Sequence, residues 1–158
     1  MYLGVWHYSF HVSDLNESVR FYVDVLNFEL VHRQDQTNAY TSRLVGYPEA
    51  SIQVAQLRLP GLPTGTVSSH MLELVEYVRP RGQTLALPRC TPGTGHLALA
   101  VDDIAAEYAR LLREGVQFVS EPNDITAGVN KGGAACYFVD PDGITLELAQ
   151  PPPTLPLG

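Results

Sequence analysis

The chain repeats itself, and the repeat limits what it can fold into. The stretch His7-Tyr8-Ser9-Phe10-His11-Val12-Ser13-Asp14-Leu15 returns 89 positions later as His96-Leu97-Ala98-Leu99-Ala100-Val101-Asp102-Asp103-Ile104. At that offset His7 falls on His96, Val12 on Val101, Asp14 on Asp103, Val19 on Tyr108 and Tyr22 on Leu111. Each half also closes on a glutamate between leucines, Leu72-Glu73-Leu74 and Leu146-Glu147-Leu148. Register kept through strand, cap and helix marks two copies of one supersecondary unit.

Taken in order, residues 5 to 12 alternate as a strand, with Tyr8, Phe10 and Val12 on one face and His7, Ser9 and His11 on the other. Asp14 with Glu17 predicts a capped helix start, and Leu15, Val19, Tyr22 and Leu26 form its apolar stripe. Asn27 stands where a left-handed residue would end that helix. Strands are predicted over 28–33, 50–59 and 69–77. The segment 34–49 shows only weak pattern and a Gly46-Tyr47-Pro48 turn, and it has no counterpart of equal length in the second half. Residues 61–65 read as a loop, and 78–95, with prolines at 80, 88 and 92, as the linker between modules. Module 1 is thus about 5–77, the linker about 78–94 and module 2 about 95–150.

In the second copy Leu97, Leu99 and Val101 share a strand face, a helix over 103–114 carries Ile104, Tyr108 and Leu111, and Gly115 ends it. A short strand over 116–119 precedes a polar loop, 120–133. Strands over 134–139 and 144–149 flank the Asp140-Pro141-Asp142-Gly143 turn, and the Pro-rich tail from Pro151 to Pro156 should lie extended on the surface. Each half therefore reads strand, helix, three strands, an α+β pattern with one sheet face covered by a helix and the other left to line something.

Composition narrows the function classes. A chain of 158 residues with 45% hydrophobic and 17% charged residues builds an ordinary core within one domain of two fused half-units. The formal charge of −7 argues against a nucleic-acid partner. No apolar run approaches the roughly 20 residues of a spanning helix, and no basic-then-apolar leader is read at the start, so a cytoplasmic protein without a membrane partner is expected. Cys90 and Cys136 form no CxxC pair and are expected to be reduced.

Strand phase supplies the candidate site. His7, Glu73, His96 and Glu147 each lie opposite bulky apolar neighbours and so point away from the helices. Two imidazoles and two carboxylates suit a first-row divalent metal, and two carboxylates neutralise a dication while leaving room for water or a bidentate substrate. Nickel, cobalt, zinc, manganese and iron all accept such ligands.

The stretches His7 to Asp14, Ser18 to Tyr22, Leu26-Asn27-Phe28, Gly95 to Ala98 and Phe138 to Leu148 resemble the vicinal oxygen chelate superfamily, which includes glyoxalases, methylmalonyl-CoA epimerases, extradiol dioxygenases and fosfomycin-resistance proteins. The resemblance spans essentially the whole chain, and the Asp-Pro-Asp-Gly…Glu ending is its most specific part. It implies two βαβββ modules forming a U-shaped, mixed-sheet metal cleft with helices outside, often within a homodimer, and it places the family's metal ligands on His7, Glu73, His96 and Glu147. A fourth ligand at Glu73 is similar to the glyoxalase and epimerase branches. The resemblance also marks substrate-binding positions: a glutathione-holding Arg and Asn would fall on His11 and Tyr77, and an epimerase's second carboxylate near Gln53 and Gln56. Neither pattern is matched, so His11, Gln56 and Tyr77 stand as substrate candidates, and use of a thiol cofactor is left open.

The resemblance thus implies a metal-dependent isomerase, epimerase or lyase that removes a proton next to a carbonyl of a small substrate with vicinal oxygens, through a metal-bound enediolate, with Glu147 or Glu73 as base. A ring-cleaving dioxygenase with Fe(II) on His7, His96 and Glu147 is one alternative, and a ligand-sequestering resistance protein another. In the 120–133 loop Asn123, Asn130 and Lys131 could reach an anionic group, although a solvated connection is favoured, and Tyr40, Arg43 and Arg58 are left unassigned. His32 and His70 are read as structural or surface residues.

Overall fold

Each copy solves the same burial problem by laying a capped helix over one face of a small sheet. The computed structural model describes residues 1, 3–61 and 71–154. His70, most of the 61–65 loop and the last residues of the proline tail lie outside them. The chain divides into two compact units, Met1–Leu85 and Ala86–Gly158.

In the first unit, β1 (Tyr8–His11) leads to α1 (Leu15–Arg20), which runs on through a π-helical turn, Phe21–Val25. Then follow β2 (Glu29–Gln36), α2 (Ala39–Val45), β3 (Ser51–Arg58) and β4 (Leu72–Arg79). The sheet order is β1-β4-β3-β2, with β1 parallel to β4 and the other pairs antiparallel. Asp14 caps α1 by accepting the Glu17 N–H at 2.9 Å, and Asn27 takes φ 60°, the left-handed ending its sequence position predicts. Leu15, Tyr22, Leu57, Leu72 and Leu74 have no exposed surface and form the interface of helix and sheet. Burying each such side chain contributes roughly 1.5–3 kcal/mol. The buried stripe runs Leu15, Ser18, Tyr22 and Leu26, with the small Ser18 rather than Val19 turned to the sheet, so Val19 is only half-buried.

The second unit has β5 (His96–Ala100), α3 (Ile104–Arg113), β6 (Gln117–Phe118), β7 (Asn123–Asp124), β8 (Ala134–Val139) and β9 (Thr145–Gln150). Its order, β5-β9-β8-β6 with β5 parallel to β9, repeats the first sheet, and β7 pairs with β8 off that path. Asp103 caps α3 through the Ala106 N–H at 2.9 Å. Asp140 is buried because its Oδ1 accepts the N–H groups of Asp142 and Ile144, closing the β8–β9 turn.

One more interaction is repeated. The Leu15 N–H donates to Glu76 Oε2 at 2.8 Å, and the Ile104 N–H donates to Gln150 Oε1 at 2.8 Å. These side chains stand three residues after Glu73 and Glu147, so each final strand holds the start of its helix with one face and presents the candidate glutamate on the other.

Four expectations are corrected. The weakly patterned 34–49 segment contains a helix, α2, bracketed by the Asn38 cap and Gly46 at φ 76°; seven residues are too few for a hydrophobic stripe to show. The 120–133 loop includes β7, and its Ile125 N–H donates to the Gly133 carbonyl, so it folds as a closed excursion from the sheet edge. The linker begins after Arg79, because β4 carries on two residues past 77 to pair with β3. Tyr8, placed on the buried face, is 46% exposed, since it opens an edge strand where the apolar cover has not begun.

Candidate metal-ligand pairs

In the first unit His7 precedes β1 directly, and β1 lies beside β4 with Ser9 opposite Glu73. His7 Nε2 stands 3.4 Å from Glu73 Oε2. On the other flank Gln56 is register partner to Glu73, and its Nε2 donates to Glu73 Oε1 at 2.9 Å. One carboxylate is thus held from two sides, by an imidazole and an amide.

The second unit repeats the arrangement with different neighbours. His96 opens β5, parallel to β9, and Ala98 is opposite Glu147 as Ser9 is opposite Glu73. His96 Nε2 stands 2.8 Å from Glu147 Oε2. The residue across from Glu147 on β8 is Tyr137, in the place Gln56 occupies on β3. Its ring meets His96 edge to face with centroids 5.0 Å apart. Sequence reasoning passed over Tyr137; its signal was the alternation of β8, which puts it opposite buried Cys136 and Phe138.

The structure therefore joins His7 with Glu73 and His96 with Glu147, one imidazole and one carboxylate in each unit. Glutamates 73 and 147 are mostly covered, with side chains 16% and 18% exposed, while the histidines are 32% and 41% exposed, so each pair is open from the imidazole side. Among the described residues no group of three or more His, Cys, Asp or Glu side chains could hold a metal. Each unit by itself offers two donors, half of a tetrahedral or octahedral set.

The substrate candidates all belong to the first unit. His11 packs edge to face on Tyr77 at 5.1 Å, and Tyr47 meets the other side of Tyr77 at 6.2 Å. Burial, with a smaller contribution from Tyr47, pushes the Tyr77 phenol above its usual range, so at neutral pH it is a neutral hydroxyl. Gln56 spends its amide on Glu73. Arg58 pairs with Glu29 at 2.6 Å, whereas Tyr40 is exposed on α2. Asn123 turns its amide back to Ser120 and Glu121. Cys136 is buried and its thiol is pushed up to about 11 by burial and then by the Glu147 charge, which leaves it unreactive.

Duplicated βαβββ units, each with a His–Glu pair on the sheet face opposite the helix, define a vicinal-oxygen-chelate type of protein. Residues 4–148 match the model of the Glyoxalase/Bleomycin resistance protein/Dioxygenase superfamily, and the chain belongs to that family. It is 36% identical over 160 residues to a 2-epi-5-epi-valiolone epimerase from Actinomyces sp, covering 98% of this chain and 82% of that protein. It is 26% identical to a lactoylglutathione lyase from Arabidopsis thaliana over 94% of this chain, and spans 44% of that protein's length. The fold matches a glyoxalase family protein from Bacillus cereus with a TM-score of 0.77 at 20% identity, covering 96% of each chain. No helix among the described residues is long and apolar enough to cross a membrane.

Proposed function

We propose that His7, Glu73, His96 and Glu147 together hold one divalent metal, and that the protein epimerises a hydroxylated ketone by moving a proton at the carbon next to the carbonyl. The observation that carries this reading is the recurrence of one imidazole Nε2 beside one carboxylate Oε2 at matching positions of both sheets. Two neutral imidazoles and two carboxylates fit a borderline dication in charge and in donor type. When bound, the metal supplies a positive charge that polarises a substrate carbonyl and lowers the acidity barrier at the adjacent carbon.

The protein's own residues divide the remaining work. Glu73 accepts a hydrogen bond from Gln56, which fixes its position; it is the held ligand. Glu147 has the His96 imidazole beside it and the ring of Tyr137 across the strand pair. It is the base that takes the proton and returns it. Tyr77 and His11 stand on the same side of the first sheet as Glu73 and meet the substrate's hydroxyl groups. The epimerase relative, 36% identical over nearly the whole chain, supports a hydroxylated cyclic ketone as the substrate class.

The test is solvent deuterium exchange. Protein with one equivalent of added Mn, Co, Ni or Zn is incubated in D2O with 2-epi-5-epi-valiolone, and label at the carbon next to the ketone is followed by NMR. Metal-dependent exchange, lost in Glu147→Gln, is expected. Oxygen consumption with iron in place of exchange would move the assignment to ring cleavage, and binding without exchange or oxygen uptake to a sequestering protein.

A further inference from the structure

The first copy contains something the second lacks. The 34–49 insertion builds α2, whose Val45 packs on the small apolar cluster of Ile52, Val54 and Val75, with Tyr77 beside it. Where this helix meets the end of β4 the surface sinks into a pocket of about 730 Å³. The hollow is wide and largely open to solvent, roomy enough for a small molecule rather than a lone ion.

The lining is cationic in a chain of net charge −7 with ten basic residues. Arg43 and Arg79 both face the pocket, against one carboxylate, Glu49. Arg79 is oriented by Glu49: its Nε donates to the Glu49 carbonyl at 3.1 Å and its Nη1 stands 3.9 Å from the carboxylate. The Arg43 guanidinium has no ion-pair partner among the described residues. The Thr37 and Ser42 hydroxyls and the Asn38 amide NH2 remain as donors, the Asn38 Oδ1 and Ser42 Oγ already accepting the Thr41 and Ala50 N–H groups, and no aromatic ring among the described residues lines the pocket. Two guanidinium forks match a tetrahedral oxyanion better than a single carboxylate, which one fork satisfies. Neutral hydroxyl and amide groups without an aromatic platform match a hydroxylated body better than a heteroaromatic one.

We propose that this pocket binds a phosphate monoester of a polyhydroxylated small molecule. Arg43 and Arg79 hold the phosphate, and Thr37, Asn38 and Ser42 hydrogen-bond to the hydroxyl groups. The site stands apart from the metal ligands. Arg79 follows Glu73 by six residues on one strand, about 20 Å at the rise of an extended chain. A small substrate at Glu73 does not span that distance, so the pocket serves a second molecule.

Calorimetric titration at low ionic strength tests this with ribose 5-phosphate, ribose and inorganic phosphate as probes. Ribose 5-phosphate should bind, ribose should not, and inorganic phosphate should bind at least tenfold more weakly than the ester. Arg43→Gln should weaken ribose 5-phosphate at least tenfold, and because Arg43 supports no other described group the fold should be unchanged by circular dichroism. Arg20→Gln, on α1 and so on the other face of the first sheet from α2, should bind as wild type. EDTA-treated protein should bind equally well. Affinity unaffected by Arg43→Gln, or lost on EDTA treatment, would overturn the site, the latter by placing the phosphate at the metal ligands instead. Equal affinity for inorganic phosphate and ribose 5-phosphate would overturn the organic ligand and leave an adventitious ion only.

Discussion

The two His–Glu pairs share a backbone and differ in what surrounds them. Ser9 and Ala98 face the two glutamates from the parallel strands in the same register, and Glu76 and Gln150 tie the two helices down from the same offset. On the antiparallel side the copies part: Gln56 donates to Glu73, whereas Tyr137 turns a ring to His96. The first pair has its carboxylate clamped and its imidazole 3.4 Å away; the second has a 2.8 Å contact and a packed imidazole. Duplication fixed where donors stand, and divergence at one neighbouring position decided which partner of each pair is restrained.

That asymmetry predicts unequal consequences for equivalent substitutions. Glu147→Gln should remove proton exchange, a loss of about 10²–10⁴-fold expected for a general base, while Glu73→Gln should act chiefly through metal retention. Metal content and D2O exchange measured on both variants separate the two roles. Equal exchange losses at equal metal loading would make the carboxylates interchangeable and end the division of labour.

A smaller effect belongs to the clamp itself. Gln56→Leu removes the donor to Glu73 Oε1 without touching the first donor set, and such outer partners typically cost about 10–100-fold in metal affinity. Tyr137→Phe keeps the ring against His96, so metal affinity should change less than in Gln56→Leu. Competition with a metallochromic chelator measures both; the reverse ranking would mean that ring packing, rather than the amide, sets affinity.

Much of this was legible because strands have period two and the repeat shows the phase twice. The pairing of each histidine with its own glutamate was not legible, because it rests on β1 lying beside β4 and β5 beside β9, neighbours far apart in the chain that a strand-helix-strand order does not specify. Asp14, Asp103 and Asn27 were readable as caps because their chemistry is local. The helix α2 was not, since seven residues with mixed polarity carry no period, and its packing on Ile52, Val54 and Val75 is long-range. The contact of the Gln56 amide with Glu73 was not legible, because the register of β3 against β4 is set by sheet pairing and cannot be counted from the sequence.

The helix ties offer a comparison in stability. The Leu15 N–H donates to a carboxylate and the Ile104 N–H to a neutral amide, at the same 2.8 Å. Hydrogen bonds to charged acceptors contribute about 1.5–3 kcal/mol and neutral ones about 0.5–1.5 kcal/mol. Chemical denaturation should therefore show Glu76→Leu costing about 2 kcal/mol and Gln150→Leu about 1 kcal/mol. Equal costs would mean that packing of the strand end on the helix, common to both copies, outweighs the charge.

The smallest effect is the pH dependence of the first N-cap. Asp14 has its carboxyl held below the ordinary value of 3.8, first by the Glu17 N–H it accepts, with Arg20 and Arg81 adding attraction. A carboxyl whose folded value is depressed binds its proton less tightly in the folded chain than in the unfolded one, so its contribution is complete above about pH 4–5 and fades as pH falls through the folded value. Asp14→Asn keeps a capping oxygen but removes the titration, so its stability relative to wild type should improve as pH drops below 4. Urea midpoints of both proteins from pH 6 to pH 2.5 would show it. Because the carboxyl is fully solvated, water and salt screen most of the charge attraction. Adding 0.5 M NaCl should therefore shrink the pH-dependent difference while leaving the cap hydrogen bond, common to Asp and Asn, in place.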